Sequence, residues 1–169
     1  MSGSDRPAVL VIGIGNPDRG DDGIGPAVAR RLRGRLPPGV SVLERGGDIL
    51  ALTEDWEDFS AVILVDAVAP ITKPGRLHRL DLAKTPLPVA FAPRSTHAFG
   101  LAETVELARS LARLPPFFVA YLIEGEQFEA GGPLSPTVAK AVEEAFERIT
   151  LELSALLRTA QAPGTPRHA

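Results

Sequence analysis

Residues 8–25 read AVLVIGIGNPDRGDDGIG, and this stretch decides the fold. Its first seven residues form a nearly continuous apolar run rich in β-branched side chains, which is typical of a strand buried on both faces of a sheet. A loop of glycine, aspartate and proline leads from this run into residues 24–36, where apolar side chains recur at helical spacing. The stretch therefore predicts a strand, a loop and a helix in immediate succession.

Strand and helix patterns then alternate along the rest of the chain. This alternation predicts a parallel sheet that is covered by helices on both sides. The further predicted strands are residues 40–43, 61–65 and 117–123, with an edge strand or hairpin arm at residues 76–82, and the further predicted helices are residues 48–56, 99–111 and 136–157.

Length and composition narrow the class of protein. A chain of 169 residues fits one domain, which we expect to span residues 1–159, whereas the tail of residues 160–169 loses the pattern and is expected to be disordered. A net charge of -3 argues against a protein that mainly binds nucleic acid or an anionic membrane. The absence of cysteine excludes disulfides, thiolate metal sites and cysteine nucleophiles. Without a signal-peptide pattern or an apolar run of ~18 residues, a cytoplasmic protein is expected.

The glycine loop fails both common phosphate-binding motifs. Gly13 and Gly15 begin a dinucleotide fingerprint, but an aspartate occupies the position of its third glycine. Gly15 and Gly20 have the separation of the P-loop glycines, yet Asp21 and Asp22 follow where Lys and Ser or Thr are required. Because two carboxylates repel a triphosphate, the loop favours a cation as its ligand. The structural alternative is that one of these aspartates only caps the following helix.

Two further residues are predicted at the same edge of the sheet. Asp66 directly follows the apolar run of residues 61–65, and His97 stands in the loop before a predicted helix. Because the carboxyl ends of parallel strands meet at one edge, Asp22, Asp66 and His97 would form a set of two oxygens and one nitrogen. Such a set suits a divalent ion such as Zn, Ni or Co, with positions left open for substrate or water. Alternatively, Asp66 ties down a neighbouring loop, and His97 caps a helix or lies at the surface.

Other catalytic templates do not fit the chain. It has no HExxH helix and no GxSxG elbow, which sets aside the zincins and the usual serine hydrolases. Glu124 and Glu126 follow a predicted strand and could support the site or the substrate, although solvated loop acids are the simpler interpretation. His78 is expected to be a solvated histidine of the edge strand, and His168 lies in the tail.

Taken together, the ordered motifs of this chain resemble those of the hydrogenase maturation proteases, the endopeptidases that process the large subunit of [NiFe] hydrogenases. The resemblance covers residues 9–153 and depends on all of the motifs occurring in order. They are VIGIGNPDRGDDGIGPAVA at residues 11–29, the Gly46-Gly47 pair, LVDAV at residues 64–68, STHAFGLAE at residues 95–103 and LSPTVAKAV at residues 134–142.

The resemblance implies a fold and a function. The fold is a twisted three-layer α/β/α sandwich with a mostly parallel five-stranded sheet and one antiparallel edge strand. The function is that of an aspartic-type endopeptidase, which removes a C-terminal extension from a hydrogenase large-subunit precursor once nickel has been inserted. Asp22, Asp66 and His97 fall on the family's metal-recognising residues. The nickel would be supplied by the precursor, with other divalent ions able to substitute, and would act as a recognition element or as a catalyst.

One departure from the family and two other functions remain open. Many relatives have an acid before the paired glycines, whereas this chain has Arg45 there and Asp48 after the pair, which leaves substrate choice open. A metal-dependent hydrolase with another substrate would share the same layout. A nucleotide-binding α/β module without enzymatic activity would share it too, but would need phosphate-binding groups that the loop replaces with acids.

Overall fold

A computed structural model describes residues 8–91 and 100–161 of the chain. Its centre is a five-stranded sheet with the strand order β2-β1-β3-β5-β4. Only the pairing of β4 with β5 is antiparallel, which confirms the expected mostly parallel sheet with one antiparallel edge strand. The strands are β1 (Val9–Ile14), β2 (Val40–Arg45), β3 (Ala61–Val68), β4 (Leu77–Asp81) and β5 (Phe117–Glu124).

Helices cover both faces of this sheet. A 3-10 turn at Gly20–Gly23 leads into the first helix, and the helices are α1 (Ile24–Leu32), α2 (Leu52–Asp55), α3 (Leu101–Ser110) and α4 (Pro136–Gln161). The side chains of α1 and α4 pack with one set of alternating strand residues, and those of α2 and α3 pack with the other. These two apolar clusters confirm the three-layer α/β/α sandwich. In the described ranges, no helix has the length and apolar character needed to cross a membrane.

Element ends differ from the sequence prediction where local turns intervene. The first helix ends at Leu32 instead of residue 36, because Arg33 is extended and Gly34 takes a φ of 74°. The second helix covers only four of the nine predicted residues, after a turn in which Asp48 Oδ1 accepts the Ala51 N–H. Strand β3 continues to Val68. Helix α4 continues to Gln161, and residues 162–169 lie outside the described ranges.

The order of the strands places a crevice after β1. From β1 the chain moves to β2 on one side, and β3 then lies on the other side of β1. In open α/β sheets, ligands bind at such a switch point, beyond the carboxyl ends of the strands. The glycine loop that follows β1 therefore lies at the position where this topology places a ligand.

Gly25 brings the first turn of α1 into contact with the sheet. A Cβ atom at this position would lie 2.2 Å from Ile14 O and 2.7 Å from Val65 O. Both are backbone atoms of paired strands, so moving them would disrupt the sheet and cost free energy. The absence of a side chain at Gly25 thus fixes the start of α1 over the ends of β1 and β3.

We expect Gly25→Ala to lower the free energy of unfolding by roughly 3 kcal/mol or more, because the new methyl group overlaps backbone oxygens. Gly46→Ala is the matched control, since a Cβ there meets nothing within 4 Å, and its effect should stay within about 0.5 kcal/mol. Urea unfolding measures both values. Equal stability of the two variants would contradict the close approach.

Candidate functional site

Asp22 and Asp66 lie at the crevice between β1 and β3. Asp22 belongs to the 3-10 turn, which packs against β3. Asp66 is the first residue of β3 beyond the pairing with β1, whose last partner in β3 is Val65. The two side chains are buried, with 4% and 2% of their surfaces exposed. The structure therefore places both predicted aspartates at the same edge of the sheet, as the sequence indicated.

The side chain of Asp66 belongs to the sheet face that α3 covers. Alternate residues of a strand point to opposite faces, and Leu64 and Val68 pack in the cluster that includes Leu101 of α3. His97 lies outside the described residues, four positions before the start of that helix. Its place in the ligand set therefore stays a prediction.

Backbone N–H groups orient both carboxylates. Asp22 Oδ2 accepts the N–H of Asn16 at 2.9 Å, and Asn16 Oδ1 in turn accepts the N–H of Asp18 at 2.9 Å. Asp66 Oδ1 accepts the N–H of Ala67 at 2.8 Å. The N-cap residue of α1 is Gly23, with no side-chain cap, so the alternative that an aspartate caps this helix is wrong.

Asp21, the neighbour of Asp22, has a structural role. Its Oδ2 accepts the N–H groups of Glu126 and Gln127 at 2.8 and 2.9 Å and the Ser135 hydroxyl at 2.9 Å, while its Oδ1 accepts the Ser135 N–H at 2.7 Å. The residue is completely buried. Because a buried carboxylate needs such compensation, Asp21 fastens the glycine loop to the segment between β5 and α4. This leaves Asp22 as the ligand candidate of the pair.

The described residues do not form a metal site by themselves. Within residues 8–91 and 100–161, no group of three His, Asp or Glu side chains is arranged to hold a metal ion. Asp22 and Asp66 provide carboxylate oxygens, which are suitable donors for a divalent ion. Adding an imidazole to them would give the borderline character that nickel or zinc prefers.

The buried Glu124 pairs with the half-buried His78, which the sequence did not indicate. Glu124 is completely buried, and its carboxylate accepts the N–H groups of Ile71, Thr72 and Lys73 at 2.8 to 2.9 Å as well as the Thr72 hydroxyl. His78 Nε2 lies 2.7 Å from Glu124 Oε1. The expectations of a solvated loop acid at Glu124 and a solvated histidine at His78 are therefore wrong. Glu126, by contrast, is exposed.

This pair contacts the loop that follows β3 and the side chain of Phe91. The residues bound by Glu124 belong to the loop that follows β3, the strand of Asp66. The His78 ring packs edge-on against Phe91, with ring centroids 5.0 Å apart. Phe91 is the last described residue before the segment that contains His97. The only sequence signal was that Glu124 directly follows a buried strand at the expected edge.

Hydrogen bonding lowers the pKa of Glu124. Burial alone would raise this pKa, but the hydrogen bonds from His78, from the backbone of Ile71 and Thr72 and from the Thr72 hydroxyl outweigh burial and lower it to about 2 from 4.5. The carboxylate is therefore charged in the folded protein down to acidic pH. Its charge stabilises the loop after β3.

Arg45, which departs from the family pattern, is neutralised by a distant acid. Its guanidinium donates two hydrogen bonds of 2.6 Å to the carboxylate of Asp55. This bidentate contact raises the pKa of Arg45 above its ordinary value through the hydrogen bond to Asp55. The charge that Arg45 introduces before the paired glycines is therefore balanced within the protein.

Comparison with known proteins gives a consistent result. Residues 26–152 match the sequence profile of the HycI family, described as hydrogenase maturation protease. The hydrogenase 2 maturation protease of Escherichia coli K12 is 29% identical over 165 residues, which cover 95% of this chain and 97% of that protein. The structure of the hydrogenase maturating endopeptidase HybD from E. coli superposes with a TM-score of 0.74 at 26% identity, over 87% of this chain and 92% of that one. The [NiFe] hydrogenase maturation protease HybD from Thermococcus kodakarensis gives a TM-score of 0.70 at 26% identity, over 86% and 98% of the two chains.

We expect Glu124→Gln to destabilise the protein in a pH-dependent manner. Because the pKa of Glu124 is about 2 in the folded state and 4.5 ordinarily, its charge contributes roughly 3 kcal/mol above pH 4.5, and this contribution is lost as the pH falls toward 2. The stability difference between wild type and variant, measured by urea unfolding, should shrink by more than half between pH 7 and pH 3. Glu126→Gln, at an exposed acid of the same segment, should show no such change. A difference that stays constant with pH would contradict the lowered pKa.

Proposed function

Because this chain belongs to the hydrogenase maturation protease family, we propose that it removes a C-terminal extension from the large-subunit precursor of a [NiFe] hydrogenase after nickel has been inserted. Family membership makes the protein an endopeptidase, a hydrolase that cuts peptide bonds. The proposal adds the substrate, the end of the substrate that is cut and the requirement for nickel. It also places the reaction in the cytoplasm, which suits a chain without cysteine.

One observation carries the assignment of the site. Asp22 and Asp66 are two buried carboxylates at the switch-point crevice, each oriented by a backbone N–H. In the proposal, Asp22, Asp66 and His97 bind the nickel that the precursor carries. Nickel is thus part of the substrate.

Nickel in this role acts as a recognition element. Binding it fixes the position of the neighbouring peptide bond relative to the carboxylates, which is the usual advantage of a bound, oriented substrate. Affinity for free metal is then low, because the precursor provides part of the coordination shell. Other divalent ions substitute where they accept the same oxygen and nitrogen ligands.

Hydrolysis of the peptide bond also needs an activated water and stabilisation of the oxyanion. We propose that a carboxylate of the site takes a proton from the attacking water as the oxygen–carbon bond forms. The proton then passes to the nitrogen of the leaving amine when the carbon–nitrogen bond breaks. This use of carboxylates corresponds to an aspartic-type endopeptidase.

Replacing either aspartate should abolish processing without unfolding the protein. Asp22→Asn and Asp66→Asn keep the shape of the side chain and an oxygen that accepts the backbone N–H, but they remove the negative charge that binds the metal. We expect processing of a nickel-loaded precursor, followed by mass spectrometry of the product, to fall at least ~100-fold. Asp58→Asn, at an exposed acid away from the crevice, is the control and should process normally. Normal processing by the Asp66 variant would refute the assignment.

The nickel requirement has a test of its own. A precursor prepared without nickel should remain uncut by the wild-type protein, because the three ligands then have nothing to bind, and adding nickel should restore cleavage. Mass spectrometry of the precursor before and after nickel loading provides the measurement. Cleavage at the same rate in both states would eliminate nickel as the recognition element while leaving the peptidase assignment intact.

A further inference from the structure

A basic groove lies at the edge of the sheet where the parallel strands end, on the face that α4 covers, whereas the side chain of Asp66 belongs to the opposite face. It has a volume of about 540 Å³ and runs between the loop of residues 73–76 and the outer side of α4. Lys73 and Arg76 line one wall, and Lys140 and Arg148 line the other, together with the single acid Glu144. In a chain whose net charge is -3, such a concentration of positive charge requires an explanation.

Three of the four cations of this basic groove form no ion pair with a described carboxylate. Most described arginines pair with carboxylates, as Arg79 does with Glu152. Arg148 also pairs, with Glu144 at 2.8 Å. Among the described residues, however, no carboxylate forms an ion pair with the exposed side chains of Lys73, Arg76 or Lys140. The groove therefore keeps a net positive charge that an external anion can satisfy.

The start of helix α4 adds to this positive charge, and backbone contacts fix the positions of the groove walls. Helix α4 starts at the groove, and its first turn has no acidic residue to oppose the positive end of the helix dipole. The opposite wall is held by Glu124, which accepts the Lys73 N–H at 2.9 Å and whose own N–H donates to Arg76 O. The two walls meet where a Cβ on Gly75 would lie 3.0 Å from Thr137 O. Backbone contacts therefore fix the positions of the two groove walls in the absence of a ligand.

The dimensions of the basic groove fit an extended peptide. From Thr137 to Arg148 the helical wall rises by roughly 16 Å at about 1.5 Å per residue, which is the length of about five residues in an extended chain. One wall of the groove belongs to the loop that follows β3, the strand that carries Asp66. This short loop therefore connects the groove wall to the strand of Asp66.

We propose that the basic groove binds an acidic segment of the precursor protein in an extended conformation and so orients the precursor over the site. This inference rests on the proposed function, since it takes the precursor as the partner. The groove contributes to substrate affinity and to the association rate, while the peptide bond is cut at the crevice. Lys73 and Lys140 are the main contacts because they line the two walls of the groove and neither forms an ion pair with a described carboxylate.

The test compares two charge-reversed proteins on the nickel-loaded precursor. The groove variant carries Lys73→Glu and Lys140→Glu, and the control carries Arg35→Glu and Arg158→Glu, which change the net charge equally at exposed residues outside the groove. At an ionic strength of about 0.02 M, we expect KM to rise about tenfold in the groove variant, with kcat within about twofold of the wild-type value. At about 0.5 M salt the difference in KM should largely disappear, because the charges are screened. Thermal melting verifies that both proteins are folded.

Each outcome has a separate meaning. If the wild type leaves the nickel-loaded precursor uncut, the proposed function fails. If the wild type cuts the precursor but the groove variant has the wild-type KM at low salt, the groove inference fails and the proposed function stands. The same conclusion follows if KM rises as much in the control protein as in the groove variant.

A second measurement does not depend on cleavage. Fluorescein-labelled hexaglutamate, followed by fluorescence anisotropy, should bind the wild type and the control protein at low salt and should bind the Lys73→Glu, Lys140→Glu protein at least about tenfold more weakly. Binding of inorganic phosphate without binding of hexaglutamate would identify a small-anion site and overturn the peptide proposal. Equal binding of hexaglutamate to the three proteins would overturn it as well.

Discussion

The arrangement of the site depends on the hydrogen bonds that the buried carboxylate of Asp21 accepts. A charge removed from water must be compensated by donors, and Asp21 finds them in the backbone of Glu126, Gln127 and Ser135 and in the Ser135 hydroxyl. These bonds hold the loop after β1 against the loop after β5, across the end of the sheet. Asp22 is the next residue, so the compensation of one charge fixes the position of the other. Asp21 thus holds the two loops together, while its neighbour Asp22 lies at the crevice.

The same division recurs in the second pair of acids near this edge. Glu124 is engaged by backbone and side-chain donors and holds the loop after β3, whereas Asp66, two strand positions before the end of β3, belongs to the crevice. In both cases a structural carboxylate is engaged by residues distant in sequence. Asp22 accepts a hydrogen bond from the Asn16 N–H, and Asp66 accepts one from the Ala67 N–H.

The sequence predicted the sheet, the order of elements and the two aspartates at the crevice, because these follow from short-range patterns. Buried strands show as apolar runs, and the carboxyl ends of parallel strands must share an edge. The predictions that were wrong concern features that do not follow from short-range patterns. The early end of α1 depends on the conformation of Gly34, and the pairing of His78 with Glu124 depends on a contact between residues 46 apart in the chain. No local pattern contains such contacts, so neither the pair nor the Asp21 network could be derived. The position of His97 stays a prediction.

The borders of the sheet have a consequence for how the protein meets other molecules. Among residues 8–91 and 100–161, each border strand has one row of backbone donors and acceptors without a strand partner, and such a row can pair with a strand of a second copy. Here β2 carries Glu44 and Arg45, and β4 carries Arg79 and Asp81, with Arg45 and Arg79 each ion-paired to an acid. Stacking one border against another would bury these charges, which disfavours polymerisation through the backbone. The charged border strands thus favour contacts through side chains over contacts through the backbone of the sheet.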